Sequence, residues 1–97
     1  MVVLRYTGAP ESSRRLGLVG KGVTVDSGGY NLKSSGSMAG IKGDMAGGAA
    51  AAAALRALAA NGVPVNVTVV VPVCENRISD SSMVPGDVIT SFSGKTI

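Results

Sequence analysis

Charge is scarce in this chain, at 15% of its 97 residues, yet three charged side chains fall within GKGVTVDSGGYNLK, residues 20–33. Lys21, Asp26 and Lys33 stand among glycines, valines and small polar residues, and Asp44 follows just ahead of an alanine-rich run. A lysine inside an apolar strand either gives up its proton or finds a carboxylate, because a buried unpaired ammonium is costly. As a free amine it can ligate a metal. Lys33, in a glycine- and serine-rich stretch, can keep its charge and polarise a carbonyl or steady an oxyanion. Two carboxylates, one unusual lysine and one free cation together point to metal-assisted hydrolysis. The chain has no histidine, so the ligands are mainly hard oxygens, which suits magnesium or manganese and admits zinc.

Each residue also has a plainer reading, and singly the plainer one is commoner. Asp26 lies between an apolar strand and Ser-Gly-Gly, where an aspartate often bonds its own backbone. The same place is the C-terminal end of a strand, where α/β proteins put their ligands. Asp44 fits a helix N-cap or first-turn acid as well as a metal ligand. The two lysines tip the balance. Glu75 reads as a charged strand boundary. Asn66-Val67-Thr68 has the form of a glycosylation acceptor but sits in the most apolar strand and is discounted. Gly17-Leu-Val-Gly20-Lys21-Gly22 invites a phosphate-loop reading that fails: Arg15 stands where the first glycine belongs, Gly22 replaces Ser or Thr, and no helix begins there.

The elements that must position these residues follow from pattern. Val2–Tyr6 reads as a short strand, and Leu16–Asp26 as a mostly buried one. Ser27–Met38 is expected to be a functional loop. Asp44 opens the clearest helix, Ala46–Asn61, whose alanines favour helix and let neighbours approach, and which Asn-Gly-Val-Pro stops. Leu55 and Leu58 should share one face. The run from Val63 to Glu75, VPVNVTVVVPVCE, is too continuously apolar for a half-exposed strand and predicts a central strand covered on both faces. Asn76–Pro85 reads as a polar loop, and GDVITSFSGKTI as two short strands about a Ser-Gly turn. The order β, β, α, β, hairpin implies an α/β fold with a central, mostly parallel or mixed sheet flanked by helices. The first strand lacks an earlier partner and no helix closes the chain, so residues 1–97 are expected to be part of a domain truncated at both ends.

Composition removes several classes. The net charge is +3 and aromatic residues make up 3%, which provides no stacking platform and argues against a nucleic-acid module. One cysteine and no histidine exclude a disulfide framework, a zinc finger and a histidine triad within these residues. No run is long and apolar enough for a bilayer, and MVVLRYTG lacks the parts of a signal peptide.

VGKGVTVDSGG, the NLK after it, GDMAGGAAA, and VPVCEN followed by PGDV and SGKTI resemble, in order and spacing, the leucyl aminopeptidase family of cytosolic metallopeptidases. The resemblance runs from Val2 to Ile97. It implies a catalytic domain holding two divalent metal ions, zinc or manganese, with magnesium also admitted. By position it implies that Lys21 ligates one metal, Asp26 bridges both, and Asp44 binds the more labile one. Lys33 matches the catalytic lysine that polarises the substrate carbonyl and stabilises the tetrahedral intermediate. Ile41 matches an apolar position, often methionine, lining the pocket for the first side chain. The family also carries Asn-Thr-Asp-Ala-Glu-Gly-Arg beyond SGKTI, which completes the ligands, so these 97 residues alone are expected to be inactive. Ala39-Gly40 replaces residues that are usually acidic, and Asn76–Pro85 departs from the usual loop, which bears on substrate preference. The implied function is removal of leucine-like N-terminal residues from peptides by a cytoplasmic homo-hexamer, without membrane or nucleic-acid partners. The alternative is a non-catalytic fragment or degenerate paralogue with a binding or assembly role, DNA binding included.

Overall fold

The computed structural model describes residues 1–97. Its best-buried strand is β4, Asn66–Val71, rich in β-branched valine, which suits a pleated, packed surface. Val67, Val69 and Val71 are buried and pack against Leu4, Leu18, Leu55 and Leu58. β1, Val2–Thr7, runs antiparallel to β4 with Val2 opposite Val71 and Thr7 opposite Asn66. β2, Leu16–Val19, runs parallel along the other side with Leu16 opposite Val67. The result is a mixed sheet of order β1-β4-β2. The long helix, Ala46–Ala60, covers one face of it, with Leu55 and Leu58 both in the cluster. Cover on the second face, expected from the apolar run, is incomplete in this chain: Thr68 and Val70 are half-buried, and Val3 and Val19 are exposed.

The expected single strand Leu16–Asp26 is two strands. β3, Gly22–Gly29, pairs in parallel with β5, Val73–Arg77, as a separate two-stranded sheet. Register nevertheless continues across the break, with Val19 opposite Val70 and Gly22 opposite Val73. The N–H groups of Gly20 and Gly22 donate to the carbonyls of Val70 (3.1 Å) and Pro72 (3.0 Å). Pro72 has no N–H to return, so the ladder fails there. Lys21 is thereby left between strands, with an exposed side chain rather than the buried one the pattern suggested.

The opposite edge of Lys21 meets the first turn of the long helix. The early N–H groups of a helix have no acceptor within it, and that of Gly48 donates to the Lys21 carbonyl at 2.7 Å. Only glycine allows this approach. A Cβ at Gly48 would lie 2.6 Å from Val71 Cγ1 and 2.9 Å from the Lys21 oxygen, and one at Gly20 would lie 2.5 Å from the Gly47 oxygen. Asp44 is not the helix cap. Met45 holds that position, without a side-chain cap bond, and Asp44 ends a single 3-10 turn, Ile41–Gly43.

A second cluster, Val25, Ile41 and Val84 with Met38 against it, joins β3, the 3-10 turn and the segment before β-turn residue Gly86. The Ser27–Met38 stretch is less of a loop than expected: β3 continues to Gly29, and Ser35–Met38 form a short helix, α1, so the long helix is α2. Near the C-terminus, Ile89 and Ile97 exchange backbone hydrogen bonds and Thr90 bridges Thr96, a hairpin held by one bridge rather than by full strands. Asn66 is 1% exposed. Its amide donates to the carbonyls of Ala9, Ser12 and Arg14, while its oxygen accepts from the Ala9 N–H. A side chain so enclosed clamps the β1–β2 loop and is no glycan acceptor. No helix is long and apolar enough to cross a membrane.

Two outcomes follow from this packing. Gly48→Ala gains helix propensity yet collides with Val71 and Lys21, and should lower stability in urea denaturation by about 1–2 kcal/mol net; Gly17→Ala, with open space around it, should not. Asn66→Ala removes the donor shared by three carbonyls, of half-buried Ala9 and Ser12 and exposed Arg14, and should cost about 1–3 kcal/mol in the same measurement.

Candidate metal centre

The four charged residues singled out by sequence form two ion pairs. Lys21 Nζ lies 2.8 Å from Asp44 Oδ2, and Lys33 Nζ lies 3.3 Å from Asp26 Oδ2. Each is placed by a different element. Lys21 stands at the break between sheets with its backbone held by α2. Asp26 lies on β3, Asp44 at the end of the 3-10 turn, and Lys33 beyond a turn closed by its own N–H donating to the Ser27 carbonyl at 3.2 Å. That turn uses positive φ at Gly28, Gly29 and Asn31.

Asp26 serves its plainer role as well. Its Oδ1 accepts the Gly28 N–H at 3.0 Å, the turn bond expected of an aspartate before Ser-Gly-Gly. The same oxygen accepts the Asn76 side-chain amide at 2.9 Å from the neighbouring strand. These two bonds, Asn76 first, with Lys33 adding its charge, outweigh desolvation and hold the Asp26 carboxyl down at about 2, against an ordinary 3.8. Asn76 was read from sequence only as the start of a polar loop. The register that sets it opposite Asp26 is the signal, and it emerges only when VTVD and VCEN are laid side by side as parallel strands.

Contact with Asp44 is the largest cause raising Lys21 above its ordinary 10.5, partial desolvation opposes it, and the charge of Asp26 adds to the rise. Lys21 thus lies in the field of both carboxylates. The strand pattern allowed either a deprotonated lysine or a paired one, and the structure gives the paired one. The Lys21–Asp44 contact is short but poorly directed: Asp44 Oδ2 is buried and lacks a well-aligned hydrogen-bond donor. Lys21 lies against one side of Oδ2, and no other donor reaches this oxygen.

A buried carboxylate oxygen whose sole neighbour is an imperfectly aligned ammonium suits a divalent cation, and the donor set fits one. Asp26 and Asp44 offer hard oxygens, each already facing a cationic group, and Lys21 could add a nitrogen once its proton is lost. No cluster of three or more Asp, Glu, Cys or His side chains forms in the chain, so a metal held by Asp26 and Asp44 would need further ligands. Glu75 takes no part; it pairs with Arg77 at 2.6 Å, in keeping with its reading as a boundary charge. Ile41 is chiefly a core residue, 3% exposed. It also borders an open cavity of about 400 Å³ with Met38, Ala39, Lys42 and Pro85.

Comparison with known proteins adds the family. Residues 1–97 match the cytosol aminopeptidase family, catalytic domain. A probable cytosol aminopeptidase of Clostridium tetani is 47% identical over 97 residues, covering 100% of this chain and 20% of the relative. Among solved structures, the bottromycin maturation enzyme BotP in complex with Mn is 44% identical with a TM-score of 0.67, over 97% of this chain and 20% of that one. The leucine aminopeptidase LAP1 of Caenorhabditis elegans is 36% identical with a TM-score of 0.70, over 98% of this chain and 19% of that one. The chain thus spans about a fifth of the length of these relatives.

The Asp26 environment has a direct readout. Its folded value lies below the unfolded one, so the associated stability is present above 3.8 and lost as pH falls through about 2. In metal-free protein, the Asp26 carboxyl carbon followed by NMR should keep its ionised shift as the pH falls below 3.8 and titrate near about 2. A midpoint at the ordinary value would mean that the two donors do not hold it.

Proposed function

This chain belongs to the cytosol aminopeptidase family, and from that premise we propose that the protein containing it removes N-terminal, leucine-like residues from peptides by metal-assisted hydrolysis. The observation that carries the reading is the pair Lys33–Asp26, 3.3 Å apart, which puts a cation beside a carboxylate suited to a metal. Asp26 and Asp44 would hold two divalent ions, manganese or zinc, with Asp26 shared between them and Lys21 a ligand to one as the free amine. When bound, such ions supply an activated water and draw charge from the scissile carbonyl.

The chain's own residues do the rest. Lys33 Nζ donates to the carbonyl oxygen of the substrate. As that oxygen gains charge the hydrogen bond strengthens, which lowers the barrier because the donor favours the transition state over the ground state. Asp26 Oδ2, 3.3 Å from Nζ, orients the ammonium before a peptide arrives. The cavity beside Ile41 and Met38 suits an apolar first side chain. Peptide substrates, homo-hexameric assembly and a cytosolic location belong to the same reading.

The test is hydrolysis of leucine p-nitroanilide by the full-length protein. Chelation should abolish turnover, and manganese or zinc should restore it. Lys33→Ala should lower kcat about 100–1,000-fold while manganese affinity, measured by calorimetry, changes far less. Turnover indifferent to chelation, or unaltered in Lys33→Ala, would sink the proposal.

A further inference from the structure

Asp26 Oδ1 and Oδ2 are not equivalent. A carboxylate oxygen has two in-plane lone-pair sites, and at Oδ1 both are taken, by the Gly28 N–H at 3.0 Å and the Asn76 amide at 2.9 Å. Oδ2 has neither donor and faces Lys33 Nζ at 3.3 Å. The orientation of the Asn76 amide is fixed by chemistry, because an ionised carboxylate only accepts and the group facing it must be the NH₂. The Gly28 bond is local to the turn. The Asn76 bond crosses from β5 to β3, and it ties the plane of the carboxylate to the neighbouring strand.

We propose that Asn76 is a positioning residue that saturates Asp26 Oδ1, fixes the carboxylate plane and so presents Oδ2 as the oxygen that meets a divalent cation. The proposal rests on the reading of Asp26 as a metal ligand. The terminal torsion of aspartate is broad, so one local bond leaves the carboxylate free to rock, whereas two donors on one oxygen define its plane. A neutral amide suits the task. Lysine or arginine at this place could hold Oδ1 equally well but would cancel charge that the metal needs, and aspartate or glutamate would repel the carboxylate. Asn76 is exposed and packs in neither buried cluster, so its side chain contributes little to the fold apart from this bond.

The experiment compares Asn76→Ala, Asn76→Leu and Asp26→Asn in the full-length protein, with manganese titrated by calorimetry and leucine p-nitroanilide kinetics run in parallel. The leucine variant keeps approximate shape and loses the donor. Both Asn76 variants should weaken manganese binding about 10–100-fold, the range expected when a partner of a metal ligand is removed. At saturating manganese, kcat should fall with KM little changed, and the metal-free melting temperature should fall only slightly, by the loss of one exposed hydrogen bond, too little to account for the change in manganese binding. Wild-type manganese affinity in both Asn76 variants, with binding lost in Asp26→Asn, would overturn the role of Asn76 and leave the metal site standing. A lowered metal-free melting temperature in both variants that accounts for the loss would make Asn76 merely structural and overturn it too. Wild-type manganese binding in Asp26→Asn would overturn the metal-site reading itself, and this inference with it.

Discussion

One contact organises the site: the backbone of Lys21 against the first turn of α2. The helix brings an N–H with no acceptor of its own, and Lys21 brings a carbonyl on the strand edge away from β4. Their 2.7 Å bond serves both, but it requires two backbones to meet where any Cβ would intrude. Gly20 and Gly48 make that possible. Once the helix is seated there, the 3-10 turn just before it delivers Asp44 to the side chain of the same lysine. The Lys21–Asp44 pair is therefore a product of backbone packing. Two exposed or half-exposed charged side chains would gain little from each other without such a frame.

The turn role of Asp26 and the metal-binding role proposed for it do not compete. The turn bond and the cross-strand amide converge on Oδ1, while the outward charge is left to Oδ2. The bonds that close the turn at this strand end also immobilise the carboxylate. The same economy appears at Ile41, which anchors one core cluster and also borders the open cavity.

The legible parts were those with strong local signals. β1 and α2 follow from a β-branched run and from alanines ended by Asn-Gly, and both stand close to their expected limits, whereas the expected single strand Val63–Glu75 divides at Pro72 into β4 and β5, which belong to different sheets. Lys21, Asp26, Lys33 and Asp44 were legible because charge is rare around them. The misreadings come from long-range partners. Leu16–Asp26 looks continuous, and its break is imposed by Pro72 fifty residues away. Asp44 carries every mark of a cap, but tertiary packing gives it to Lys21. Asn76 has no local signal, because its importance comes from register. α1 lacks the apolar periodicity that marks a helix and spans only Ser35–Met38.

The turn from Ser27 to Lys33 has a thermodynamic consequence. Three of its residues occupy left-handed backbone conformations, and its ends are closed by a backbone hydrogen bond. Fixing such a segment costs roughly 1–2 kcal/mol of conformational entropy per residue, and here that cost is met when the chain folds. The backbone that carries Lys33 is consequently set before any ligand arrives, so a group docking there would have only side-chain freedom left to restrict.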